Sequence, residues 1–270
     1  MRSALIDSVT ALLKQAASEI VLPRFRSLQA SEISEKSPGE VVTVVDRAVE
    51  AMLIPALSAL QPGSRVVGEE GVSENPALLD HLDQGDVWLV DPIDGTANFV
   101  AGREEFGIMV ALLRKGEARM SWILFPVSGD LDIAEHGAGA WFNGQRLQLA
   151  ALPAQRGDAL QGIVKTGFMP EPMRSLIDGR ATQHVRDRVN GTMSAAGDYR
   201  DYALGTPDFG LYWRMLPWDH APSTLLLQEA GGHIARHDGQ PYRASASGKG
   251  LLVARSREVW DYAQRVLLSD

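Results

Sequence analysis

Trp88-Leu89-Val90-Asp91-Pro92-Ile93-Asp94-Gly95-Thr96 is an apolar run that stops at two aspartates, a glycine and a threonine. An apolar run of strand length that ends in carboxylates reads as a buried strand carrying Asp91 and Asp94 to the lip of a cleft. Pro92 fixes its own φ and confines Asp91 to extended backbone, so the two acids sit on a stiff turn. Gly95 lets the backbone approach a ligand closely, and the Thr96 hydroxyl can donate or accept a hydrogen bond. Two acids, exposed amides and a hydroxyl suggest a metal and phosphate site.

Composition narrows what such a site can serve. The chain has 270 residues, 45% of them hydrophobic and 22% charged, ordinary values for a globular protein of one large domain or two smaller ones. Its formal charge of −8 argues against general affinity for nucleic acid or anionic membrane, since both rest on clustered Lys and Arg. An acidic protein with an anionic substrate needs local positive charge, which a divalent metal supplies. There is no cysteine, so disulfides and thiolate zinc sites are excluded, in keeping with a reducing cytoplasm. Asp7, Lys14 and Glu19 interrupt the apolar stretches near the N-terminus, so no signal peptide is expected. No run approaches the roughly 18 apolar residues of a membrane span. A soluble cytoplasmic protein is the expectation.

Upstream of the Asp91 stretch, Leu5, Val9, Leu12, Leu13, Ala16 and Ile20 recur at helical spacing, predicting an amphipathic helix over residues 4–22 that Pro23 ends. Glu32 to Glu40 is polar around Ser37-Pro38-Gly39 and reads as a turn or mobile loop carrying Lys36. A second helix is predicted over residues 44–60, with Thr43 as N-cap, Asp46 in its first turn and a kink at Pro55. Taken alone, Asp46 reads as structural, because the helix dipole favours a carboxylate there. Val66-Val67 is a short strand leading into Gly68-Glu69-Glu70-Gly71, whose adjacent glutamates read as solvated, and Leu78–Leu82 is a short helical piece.

Downstream, residues 106–114 and 118–125 read as an antiparallel hairpin around Lys115-Gly116-Glu117. Residues 131–135 and 140–142 continue that sheet, with Asn143-Gly144 as a tight turn. The strand pattern lapses at Leu149 to Ala154, which divides the chain into residues 1–150, helices on a largely antiparallel sheet, and residues 151–270, a smaller α/β layer. In the second part, strands are expected at 160–165, 209–212, 233–236 and 251–254. Helices are expected at 171–178, 194–203, 224–230 and 256–268.

Asp46, Glu69, Asp91, Asp94 and Asp219 are acids suited to magnesium, which takes oxygen ligands. Spacing alone does not bring them together. Gly68-Glu69-Glu70, Asp91-Pro92-Ile93-Asp94-Gly95-Thr96 and Trp218-Asp219-His220-Ala221, in that order, resemble the inositol monophosphatase family of lithium-sensitive, magnesium-dependent phosphatases. Lys36, Thr43-Val44-Val45-Asp46 and Glu229-Ala230-Gly231-Gly232 extend the resemblance over nearly the whole chain.

The resemblance implies an α+β fold, the layered αβαβα sandwich of sugar phosphatases, commonly homodimeric, with the site between the two halves. It implies that Glu69, Asp91 and the Ile93 carbonyl hold one ion, and that Asp91, Asp94 and Asp219 hold a second, with Asp91 bridging. Glu69 reaches a weaker third ion through water, giving two or three Mg2+. Gly95 and Thr96 present amides to the phosphate, while Asp46 and the Thr96 hydroxyl orient the water that attacks in line. Asp94, Gly95, Thr96, Ala195, Tyr212 and Asp219 form the substrate-binding positions, and Asp46, Glu69 and Thr96 the catalytic ones.

Departures from the family's pattern bear on the substrate. Tyr212 stands where typical members carry a sugar-binding glutamate, which puts inositol 1-phosphate in question. Met193 stands where a glycine is common and either narrows the pocket or fills the core. His220 receives no role. Trp213 and Arg214 either stack on an aromatic leaving group or lie on the surface, and Lys36 either assists the site or is solvated. Histidinol phosphate, 3′-phosphoadenosine 5′-phosphate and sugar phosphates remain open as substrates. A role of another class, regulatory partner in a transcription complex, stands beside them; direct nucleic-acid binding and membrane partners are not expected.

Overall fold

The structure, a computed structural model, describes residues 4–37, 39–150, 160–245 and 249–269. The chain opens with helix α1 (Ala4–Ala16), whose Ile6, Val9, Leu13 and Ala16 are buried, then the strands β1 (Ile33–Ser37) and β2 (Glu40–Thr43) and the long helix α2 (Val44–Leu60). Strand β3 (Arg65–Gly68) and helix α3 (Glu69–Glu74) precede the long strand β4 (Asp86–Asp94) and the short helix α4 (Thr96–Val100). Strands β5 (Gly107–Arg114), β6 (Glu117–Phe125), β7 (Asp130–Glu135), β8 (Gly139–Phe142) and β9 (Gln145–Leu147) follow. Beyond the segment 151–159 come β10 (Gln161–Val164), α5 (Met173–His184), β11 (Asp187–Val189), α6 (Ala195–Ala203), β12 (Phe209–Tyr212), α7 (Pro217–Glu229), β13 (His233–Arg236), β14 (Leu251–Ala254) and α8 (Arg257–Leu267).

These elements form five layers. A seven-stranded sheet runs in the order β3 to β9, with β3 parallel to β4 and every later neighbour antiparallel. Helices α1 and α2 cover one face, their Val9, Leu13, Val49 and Leu53 packing with Trp88, Val110 and Trp122. The other face packs on α6 and α7, where Met109 and Ile123 share a core with Ala196, Leu225 and Leu226. The opposite side of those two helices meets a five-stranded sheet in the order β11-β10-β12-β14-β13, through Tyr199, Tyr202 and Leu227 against Ile163 and Val253. Helices α5 and α8 close that sheet's outer face with Ile177, Ala181, Val259 and Ala263. Sheets with both faces covered read as continuous apolar runs, and the buried 87–90 segment is one of them. The αβαβα sandwich expected from the sequence is thus the observed fold. No helix among the described residues is long and apolar enough to cross a membrane.

Several local expectations are corrected. Strands β1 and β2 pair as an antiparallel ribbon, where the sequence suggested a loop over residues 32–40; Ile33 pairs with Thr43 and Ser34 with Val42. The two strands are too short and polar to show a clear alternation. Helix α7 begins at Pro217, well before the expected Thr224. Pro217 occupies the first turn, where a missing N–H costs nothing, and Pro222 lies inside the helix. The helical piece expected at 78–82 is a 3-10 turn over Pro76–Leu79, and the helix expected at 171–178 runs over Met173–His184. Strand β11 and helix α3 were not anticipated. Glu70, expected in solvent, is buried. Most of the boundary stretch 149–154 lies outside the described residues.

Candidate active site

Strand β4 is paired on both sides, with β3 and β5, and its last residues carry Asp91 and Asp94. Residues three apart on a regular strand point to opposite faces. Here the pairing with β5 shifts between them: Asp91 faces Met109, whereas Asp94 faces Gly107. The extra residue is a bulge, which re-aims side chains. Gly95 follows with φ +87°, a left-handed conformation, and a Cβ there would lie 3.0 Å from Ser194 Cβ and 3.1 Å from the Glu105 carbonyl oxygen. Only glycine satisfies both conditions without strain.

Asp219 joins the pair from the first turn of α7. Asp91, Asp94 and Asp219 each offer a carboxylate oxygen, and these three atoms lie within 4.8 Å of one another. Burial, reinforced by the charges of Glu69, Asp94 and Asp219, pushes the Asp91 carboxyl well above its ordinary range. Asp219 is raised in the same way by burial and by its acidic neighbours. Asp94 is also raised by burial, although Ser194 Oγ (2.5 Å), the Ala196 amide (2.7 Å) and the Ala195 amide (3.0 Å) donate to it and pull the other way. A buried cluster of like charges ionises fully only beside a cation. An all-oxygen donor set of this kind fits magnesium or a similarly hard divalent ion.

A second group of acids borders the cluster. Asp46, the third residue of α2, closes a capping box with Thr43: the Thr43 amide donates to Asp46 Oδ2 at 2.9 Å, and the Val45 amide to Thr43 Oγ1 at 3.1 Å. Thr96 Oγ1 lies 2.9 Å from Asp46 Oδ1 and 3.0 Å from the Ile93 carbonyl oxygen. Burial raises the Asp46 carboxyl, against the hydrogen bonds from Thr43 and Thr96. Lys36 Nζ reaches Glu69 Oε1 at 2.7 Å and Glu70 Oε1 at 2.6 Å. Burial lifts Glu69 to about 7, opposed by Lys36. Burial alone would lower the Lys36 ammonium, but the two glutamates outweigh it and raise it. The ribbon β1–β2 is thereby tied to the acids, with Lys36 paired and not solvated.

Two adjoining cavities open here. One of about 330 Å³ is lined by Lys36, Glu69, Asp91, Ile93, Gly95 and Thr96, among others. The other, of about 590 Å³, is lined by Lys165, Ala195, Tyr212 and neighbours from α5 and β11. Asp94, Met193, Arg214 and Asp219 line both.

The structure therefore gathers Glu69, Asp91, Ile93, Asp94, Gly95, Thr96 and Asp219 on one cavity, places Asp46 one hydrogen bond behind it, and puts Ala195 on the adjoining wall. Glu69 shares the cavity, but its carboxylate is engaged by Lys36. Tyr212 has the expected position but not an inward-facing hydroxyl: that oxygen lies 2.8 Å from Tyr202 Oη and 3.3 Å from Asp198 Oδ2. Met193 is 61% exposed on both cavity walls, so it is no core filler. His220 is buried, with Nδ1 2.9 Å from Tyr199 Oη and Nε2 3.1 Å from the Arg214 carbonyl oxygen. Burial holds it neutral, at about 4. Arg214 stacks on Phe168 and pairs with Glu40 of β2.

Sequence reasoning missed Ser194 as the support of Asp94, and it missed Glu50. The Glu50 carboxylate accepts from the Glu70 and Gly71 amides, and a Cβ on Gly68 would collide with it. A signal existed: Asp46 and Glu50, four apart, interrupt the apolar stripe Val45, Val49, Leu53 on one helix face.

A layered αβαβα fold with buried acids converging at the end of a buried strand, beside a glycine–threonine turn, defines a phosphate monoester hydrolase. The chain belongs to the inositol monophosphatase family, which it matches over residues 3–267. It is 30% identical over 222 residues to a fructose-1,6-bisphosphatase/inositol-1-monophosphatase of Thermotoga maritima, covering 82% of this chain and 80% of that one. It is 32% identical over 236 residues to the Nus factor SuhB of Pseudomonas aeruginosa (83% of each). With a histidinol-phosphatase of Chlorobaculum parvum it shares 30% identity over 250 residues (90% of each). The structure of inositol monophosphatase II from Staphylococcus aureus superposes with a TM-score of 0.80 at 26% identity, covering 98% of this chain and 94% of that one.

Proposed function

We propose that the protein is a magnesium-dependent phosphatase that hydrolyses a small phosphate monoester with an activated water. The observation that carries this reading is the convergence of Asp91, Asp94 and Asp219, with carboxylate oxygens within 4.8 Å of one another, beside the Thr96–Asp46 pair. Glu69, Asp91 and the Ile93 carbonyl are the groups suited to one ion, and Asp91, Asp94 and Asp219 to a second. Bound magnesium supplies charge neutralisation, electrophilic pull on the phosphate and a more acidic water.

The chain's own groups carry the rest. Thr96 Oγ1 has its proton directed at Asp46 and Ile93, which leaves a lone pair to accept from the attacking water. Asp46 Oδ1 takes up the threonine proton as that transfer occurs, and its raised basicity suits it to the task. The Gly95–Thr96 backbone faces the phosphate. Asp219, on the wall common to both cavities, lies where the scissile phosphate would meet its leaving group. Lys36 keeps Glu69 and Glu70 compensated before substrate arrives.

The test is release of inorganic phosphate from inositol 1-phosphate, histidinol phosphate, fructose 1,6-bisphosphate and 3′-phosphoadenosine 5′-phosphate, with magnesium and with chelator. Magnesium-dependent turnover of at least one, inhibited by lithium, is expected; turnover that ignores the chelator contradicts the reading. The 32% identity to a protein named Nus factor SuhB favours one second reading, a role as protein partner in a transcription complex. Asp91→Asn separates the two, since a partner role survives loss of turnover.

A further inference from the structure

The larger cavity has a charge pattern that the phosphatase reading does not use. At the position of the family's sugar-binding carboxylate stands Tyr212, its hydroxyl turned toward Tyr202 and Asp198. Lys165 covers it: the ammonium lies 5.5 Å from the Tyr212 ring centre and 2.5 Å from Asp198 Oδ2. Where a carboxylate was expected, the wall therefore presents an ammonium. Arg174, Arg188 and Arg214 line the same chamber, and the carboxylates on its wall, Asp94 and Asp219, belong to the metal end.

The counter-charges are shared unevenly. Asp198 answers Lys165 and Glu40 answers Arg214. Among the described residues, Asp178 pairs with two guanidiniums, at 2.8 Å from Arg188 and 3.9 Å from Arg174. Arg188 also donates to the Val164 carbonyl oxygen at 2.7 Å, which holds its fork against β10 while leaving the side chain 40% exposed. Guanidinium and ammonium groups donate hydrogen bonds and accept none. A wall of donors with an excess positive charge suits a ligand rich in acceptors, and guanidinium geometry matches carboxylate and phosphate.

We infer that the ester cleaved here carries a second anionic group on its leaving part, and that Arg188 and Arg174, beside Lys165, seat it. This rests on the phosphatase reading above and adds the substrate class. The chamber of about 590 Å³ adjoins the acid cavity through Asp94 and Asp219, so one molecule spans both.

Matched pairs of esters, assayed with magnesium, test it. Fructose 1,6-bisphosphate against fructose 1-phosphate probes a second phosphate; 2-phosphoglycerate against glycerol 2-phosphate probes a carboxylate. In at least one pair, kcat/KM should favour the doubly anionic ester by about tenfold or more, and the favoured pair names the anion. The Arg174→Gln/Arg188→Gln double variant should bring that ratio near one, while Arg188→Lys retains part of it; thermal melting checks that each variant folds. Ratios near one in the unmodified protein, with both members hydrolysed, overturn this inference and leave the phosphatase reading standing. A preference that survives the double variant overturns the assignment to these arginines. Failure to release phosphate from any of these four esters overturns this inference, and failure on the earlier panel as well removes the phosphatase reading with it.

Discussion

The two ends of the cleft are built on opposite principles. At the acid end, like charges are forced together by a strand bulge and a helix start, so Asp91 and Asp219 sit well above the ordinary carboxyl range until a cation compensates them. At the leaving-group end, four cations share three carboxylates, Asp178 serving both Arg174 and Arg188, and His220 is buried neutral between Tyr199 and the Arg214 backbone. The first end is a cluster of like charges suited to a cation, and the second holds its charges in ion pairs. Chemistry is concentrated where the fold tolerates electrostatic strain, and selectivity where it does not.

That contrast is broken most severely at Asp91. Asp91→Asn should cut magnesium-dependent turnover by at least about a thousandfold, because one of the three clustered carboxylates is lost. The metal-free variant should melt no lower than the unmodified protein, since one of the mutually repelling acids is gone. Magnesium at about a hundred times its Kd should stabilise the unmodified protein by about 2.7 kcal/mol and the variant by far less. Scanning calorimetry with and without chelator reads this directly. Thr96→Ala, which removes the hydroxyl between Asp46 and the water, should lower kcat by about a hundredfold and leave the magnesium requirement in place.

Acidity separates the two ends by sign. The Glu69 carboxyl, raised by burial to about 7, binds more protons folded than unfolded, so its contribution to stability is present below about pH 4.5 and is lost as pH rises through 7 in the metal-free protein. His220 is lowered by burial to about 4, so it favours the folded state above its unfolded value of 6.5, and that contribution is lost as pH falls toward 4. The histidine term is on the order of 3 kcal/mol. Melting from pH 4 to 7.5 in chelator should show both slopes. Magnesium should remove the first, and His220→Gln should flatten the second. The smallest expected effect is at Lys36. Lys36→Gln should lower the half-saturating magnesium concentration by about two- to fivefold, because a partly exposed ammonium competing for Glu69 contributes up to about 1 kcal/mol. A magnesium titration of turnover measures it.

The same contrast explains what could be read in advance. Asp91, Asp94, Gly95 and Thr96 are contiguous, and strand length, proline restriction and glycine freedom act within a few residues, so the acid end was legible. The alternation of helices and strands was legible wherever apolar periodicity was strong. The leaving-group end was not: Lys165, Asp198, Tyr202 and Tyr212 meet only after β10, α6 and β12 are stacked, and spacing along the chain carries no trace of that meeting. Tyr212 lines the larger cavity, but the direction of its hydroxyl is decided by Tyr202 and Asp198. Helix α7 was begun too late for a related reason, because prolines at a helix start and prolines that break a helix look alike until Asp219 is seen in its first turn.

The most direct measurement is phosphate release from a small monoester by the unmodified protein and by Asp91→Asn, each with magnesium and with excess chelator. Turnover by the unmodified protein that vanishes with chelator and returns with magnesium, and that Asp91→Asn fails to show under either condition, is the predicted result. Equal rates for the two proteins, or a rate unaffected by chelator, would contradict the account.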